Sequence, residues 1–191
     1  MKGKNKKGFT MVETLVSIGM FGFISIALIN IFVAAIKSQS RILQNQELME
    51  QSSYALEYMG KIVRMAKKDV AGNCTGTANR NYGIGSDSIN FLAYDSNDET
   101  YKCRQFLLES NVIKEKKSTD GSSSNLGTAV PITSSKVKVN GLTLAVTGDG
   151  SDTIQPKITV MIKMQSNISV ADAPNITIQT SISQRQLDIT I

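Results

Sequence analysis

From position 9 to position 36 the chain runs for 28 residues with one charged side chain, Glu13. As a helix rising ~1.5 Å per residue, that stretch measures ~42 Å, against ~30 Å for the hydrocarbon core of a bilayer. It can cross a membrane with tilt or with one end projecting. Lys2, Lys4, Lys6 and Lys7 precede it, which predicts a cytoplasmic N-terminus and an exported remainder. It does not read as an ordinary secretory signal. The apolar run is about twice the usual ~7–15 residues, and no A-x-A-like site follows. A plain single-pass anchor is the simplest account, but two details go beyond it. The basic run ends in Gly8, directly before the apolar stretch, and Glu13 sits one helical turn into it. A carboxylate in lipid costs ~2.5–3.5 kcal/mol and usually has a partner, yet no basic residue lies within the span. A cut after Gly8 would create an α-amino group on Phe9. That cation could meet the Glu13 carboxylate of a neighbouring subunit, neutralising both charges and setting the axial register between subunits.

The segment KKGFTMVETLVSIGMF resembles the type IV prepilin cleavage and methylation motif. That motif has basic residues, Gly at the cut, Phe as the first mature residue and Glu four positions later, opening a long hydrophobic helix. The match covers roughly the first 30 residues. The resemblance implies that a membrane prepilin peptidase cuts between Gly8 and Phe9 and N-methylates Phe9. It implies partners too: other pilins in a helical filament, and an inner-membrane assembly platform. The fold it implies is α+β, a long N-terminal helix packed on a C-terminal antiparallel β-sheet. Many pilins carry a kinking proline in the apolar stretch. Here no proline precedes Pro131, and Gly19 and Gly22 are left to soften the helix. KVKVNGLTLAV, QPKITVMIKM, ITIQTSISQRQLD and SYALEYMGKIVRMAKKD resemble, less specifically, minor pilins and the larger secretion pseudopilins. Three readings share this N-terminal physics: a minor pilus subunit, a pseudopilin of a type II secretion system, and an adhesin of a DNA-uptake pilus.

The net charge of +5 is unevenly placed. Without the four leader lysines, 17 basic side chains face 16 acidic ones, so overall charge gives no nucleic-acid footprint and such a partner is not expected. The absence of His removes the commonest general base and metal ligand. No Walker loop, GxGxxG or HExxH is present, so neither an enzyme nor a cofactor is expected. Cys74 and Cys103 belong to no CxxC pair. In an exported region a disulfide between them is the leading reading, and two unrelated small core residues the alternative.

Four stretches follow: a leader over 1–8, a membrane or filament-core helix over 9–36, its amphipathic continuation over 37–72, and an exported β-rich region over 73–191. Ile42, Met49, Leu56 and Val63 recur every seven residues, flanked by Leu48, Ala55, Met59, Ile62 and Ala66. The helix is expected to reach about Lys68, with Gly72 as its stop and Lys61, Arg64, Lys67 and Lys68 suiting its negative end. Glu57 and Lys61 form a favourable i,i+4 pair. Strands are expected over 88–94, 101–109, 112–116 and 142–147, with a mobile polar loop over 118–127. Asn140–Gly141 reads as a hairpin turn or a strand entry. The clearest alternations come last, with Ile158, Val160, Ile162 and Met164 on one face, then Ile176, Ile178, Thr180 and Ile182. The acidic pairs Asp95/Asp98 and Asp149/Asp152 read as turn residues. Lys114, Lys116, Lys117, Lys136 and Lys138 read as a solvated face.

Overall fold

The computed structural model describes residues 8–149, 154–167 and 173–185. Lys2, Lys4, Lys6, Lys7 and Asp152 lie outside them. Among the described residues one long helix, α1 (Met11–Val63), is followed by nine strands. The chain divides into two compact units, Met1–Leu43 and Gln44–Ile191.

In the first unit α1 is unbroken through Gly19 and Gly22. Nearly every described side chain is exposed, and the most apolar 18-residue window buries none of its surface. An all-round apolar helix without packing partners is what a lipid-facing segment looks like.

The second unit begins with the polar half of α1. Its buried positions are Leu48, Ser52, Ala55, Met59, Gly60, Ile62 and Val63, spaced three or four apart along one face. Of the seven-residue series, Val63 belongs to that face and Met49 and Leu56 lie at its border. Met49 is exposed and Leu56 only partly buried. The helix stops at Val63, short of Lys68. Arg64 donates to the Gly60 carbonyl (3.1 Å) and Met65 to the Ile62 carbonyl (3.0 Å), a tightened last turn. The next two residues form β1 (Ala66–Lys67), pairing with Ala93 and Leu92. Strand pairing therefore claims the backbone that helical periodicity assigned to a further turn.

The strands form two antiparallel sheets. In the larger, β1, β3 (Ser88–Asp95), β4 (Thr100–Glu109), β5 (Val112–Lys117) and β6 (Val130–Pro131) lie side by side, and β2 (Gly83–Ile84) also pairs with β3. The smaller holds β7 (Val137–Thr147), β8 (Lys157–Ser166) and β9 (Asn175–Ser183). Ser110 and Asn111, both at positive φ, make the two-residue hairpin between β4 and β5. Asn140–Gly141 is neither turn nor strand entry but a bulge within β7, where the pairing with β8 shifts. The buried faces of both sheets meet the helix stripe in one core. Phe91, Phe106 and Ile113 come from the larger sheet, and Val139, Ile158, Val160, Ile162 and Met164 from the smaller.

The polar loop after β5 is tied down. Ser118 and Leu126 form an isolated bridge. The Cys103 amide donates to Ser118 Oγ (2.8 Å), and Ser123 donates from its amide to the Asn73 carbonyl (3.0 Å). Its polar side chains are used to satisfy backbone groups, which composition alone does not reveal.

Candidate functional site

Gly8, Phe9 and Thr10 precede the first turn of α1 and are exposed. A Cβ placed on Gly8 would meet nothing within 4 Å, so the chain's own packing does not demand glycine there. Thr10 caps the helix, its Oγ1 accepting from the Glu13 amide at 3.3 Å. The T-x-x-E spacing of a capping box carried this signal in the sequence. Glu13 thus lies in the first turn, where unpaired N–H groups favour negative charge. Among the described residues its carboxylate has no ion-pair partner. Ser17 and Thr14 return their hydroxyls to the Glu13 and Thr10 carbonyls (2.7 and 3.2 Å), a way to hide hydroxyls along an apolar helix. The resulting site is an exposed tripeptide outside regular secondary structure, a capped helix start and a carboxylate on an apolar surface with no ion-pair partner among the described residues.

Cys74 and Cys103 lie far from this segment in sequence, in the second unit. They are joined in a disulfide with Cα atoms 5.4 Å apart, inside the usual range for a bridge. It ties the loop after β1 to the centre of β4. The same loop is organised by Asp69, whose carboxylate accepts from the amides of Gly72, Cys74 and Thr75 at 2.9, 2.8 and 2.9 Å.

Asp95 acts as a turn residue, its Oδ1 accepting from the Asn97 amide at 3.1 Å, and it also has a buried, charge-paired role. Asp95 is buried and forms ion pairs with Lys117 and, at 3.8 Å, Arg104. Lys117 in particular holds its carboxyl below the usual range. Arg104 also meets Glu115 at 2.6 Å, and the Tyr58 phenol donates to Glu115 at 2.6 Å. Burial, then Glu115, pushes that phenol up to about 12. Asp149 likewise has a structural task, accepting from the Asn81 amide at 2.6 Å. Of the five lysines read as a solvated face, Lys114 pairs with Glu109, Lys117 with Asp95 and Lys136 with Glu47. Glu57 and Lys61 make no ion pair. Among the described residues no group of three or more His, Cys, Asp or Glu side chains is placed to hold a metal.

Residues 3–35 match the family model described as the prokaryotic N-terminal methylation motif. No curated protein and no solved structure matches the chain.

Proposed function

We propose that this chain, which carries the N-terminal methylation motif that marks type IV prepilins and pseudopilins, is a minor structural subunit of a type IV pilus-like filament. The observation that carries this reading is the motif match over residues 3–35. In this reading a prepilin peptidase removes the leader between Gly8 and Phe9 and methylates the new amino group. The apolar half of α1 holds the subunit in the cytoplasmic membrane, N-terminus inward. An inner-membrane assembly platform then moves it into a filament of other pilins. The exposed tripeptide before α1, outside any helix or strand, supports cleavage, since a protease needs accessible backbone free of regular hydrogen bonding. The open space around Gly8 supports a reading in which glycine is required by the enzyme that reads it and not by the fold. The Phe9 amine would neutralise the Glu13 carboxylate of a neighbour, and export would let the Cys74–Cys103 bridge form in an oxidising compartment.

N-terminal sequencing of the protein from cells tests the class. A mature chain starting at N-methyl-Phe9 is expected, and an intact Met1 beside an active prepilin peptidase would refute it. Glu13→Ala tests the register role. The variant retains the amide that Thr10 caps, so insertion and cleavage should proceed while filament incorporation falls. Normal incorporation would sink the role assigned to the carboxylate. A pseudopilin shares this motif, and a neighbouring secretin and secretion-ATPase operon without pilus retraction genes would favour that assignment.

A further inference from the structure

At the end of α1 the chain brings together residues from three separate stretches. Arg64 follows the helix, Lys67 belongs to β1, and Arg185 lies just beyond β9. The Arg185 amide donates to the Arg64 carbonyl at 2.7 Å, so the two arginines are held side by side by the backbone. Tyr94 and Tyr101 pack edge-to-face, with centroids 5.5 Å apart and 37% of each residue exposed. The Lys67 ammonium stands 4.8 Å from the Tyr101 ring centroid. Arg64, Met65, Tyr94, Tyr101 and Arg185 line a concavity of about 440 Å³. A second, of about 670 Å³, adjoins it across Arg64 and Arg185 and adds Lys61, Glu57 and the apolar Leu56 and Ile182.

Among the described residues the cations lining these hollows outnumber the acids. Among the described residues Lys61, Arg64 and Arg185 have no ion-pair partner, and Glu57, the one carboxylate lining the two hollows, is paired with none of them. Elsewhere in the unit arginine is treated differently, as Arg104 shows by sitting between two carboxylates. The negative end of the helix dipole accounts for Lys61 and Arg64. It does not account for Arg185 or for two half-exposed tyrosines beside them. Exposed aromatic rings among unpaired cations are the elements with which proteins hold single-stranded nucleic acid, cations tracking phosphates and rings stacking on bases. The cleft also lies ~28 Å along α1 from Gln44, where the unit begins.

We propose that this cleft binds single-stranded nucleic acid, with Arg64, Arg185, Lys61 and Lys67 on phosphates and Tyr94 or Tyr101 against a base. The proposal does not depend on filament incorporation, so its failure would leave the pilin reading untouched. The test uses the full chain in a zwitterionic detergent and a fluorescein-labelled oligothymidylate of about 20 nucleotides, read by anisotropy. Binding at about 50 mM salt is expected, with log K falling against log salt at a slope of about −3 for four phosphate contacts. Arg64→Glu with Arg185→Glu should weaken binding at least ~10-fold and flatten the slope to about −1. Tyr94→Ala with Tyr101→Ala should weaken it ~10-fold with the slope unchanged. Lys138→Glu with Lys157→Glu, an equal charge change on exposed residues outside the cleft, should leave it within about twofold. Absence of binding at low salt would overturn the proposal, as would indifference to the arginine reversal. Equal competition by an acidic polysaccharide of matched charge, with the tyrosine variant binding as tightly as the parent, would also overturn it, by marking an unselective polyanion surface.

Discussion

Asp69 shows how one buried carboxylate can hold a loop. It is 2% exposed and accepts three backbone amides, so removing it strands donors that have no other partner. Asp69→Ala should cost ~3 kcal/mol or more, read as a lower midpoint in chemical denaturation, with Asp69→Asn losing less. Tyr58 yields a pH signature. Its phenol titrates at about 12 in the fold and at ~10 unfolded, so the folded state holds this proton more tightly. The stabilisation is complete below pH ~10 and is lost as pH rises from there toward 12. Tyr58→Phe should remove that alkaline loss while costing ~1–2 kcal/mol at neutral pH, because Glu115 loses a donor. Asp95 has the opposite sign. Its lowered pKa makes its contribution present above the ordinary carboxylate pKa and lost as pH falls through the folded value. Stability followed from neutral pH downward should therefore decline less steeply in Lys117→Ala.

Among the elements, the loop between β1 and β2 carries the greatest covalent constraint. The Cys74–Cys103 bridge closes a loop with a sequence separation of 29 residues, worth ~3–4 kcal/mol through the unfolded chain. Reduction, or Cys74→Ser with Cys103→Ser, should lower the denaturation midpoint by a matching amount without changing helix content by circular dichroism. Gly72 lies in the same loop at φ +74°, and a Cβ there would come within 2.6 Å of the Ala78 nitrogen. The apolar run and the period-two alternations of β8 and β9 made α1's first half and the C-terminal strands legible in the sequence, because each is a local pattern. The strands β3, β4 and β5 fall within a residue or two of the expected limits for the same reason. What stayed hidden was non-local. The end of α1 depends on Ala66 pairing with Ala93, the bulge near Asn140 depends on how β7 registers on β8, and the ion pairs that Asp95 adds to its turn role depend on Lys117 and Arg104 folding against it. At the proposed processing site Gly8, Phe9 and Glu13 stand out by residue type and spacing, and the T-x-x-E spacing from Thr10 to Glu13 carries the helix cap.

At the scale of the whole molecule, net charge is concentrated in the first eight residues and apolar surface in the 28 that follow. Residues 1–8 carry four lysines of a net +5, so the proposed cleavage after Gly8 should bring the chain close to neutrality. Isoelectric focusing of precursor and mature forms should show a clear fall in isoelectric point, and an unchanged value would mean the leader is retained. The unpacked apolar half of α1 has a further consequence for any assembly it enters. A helix of this kind leaving lipid for the centre of a filament moves between two oil-like surroundings, and water gains almost nothing from the exchange. Solvent entropy then supplies little bias toward polymer, and direction must come from work done by a motor and from polar contacts that lipid cannot offer. Growth and dissolution of the fibre would be nearly isoenergetic steps per subunit, which is the condition under which a machine can run the process both ways.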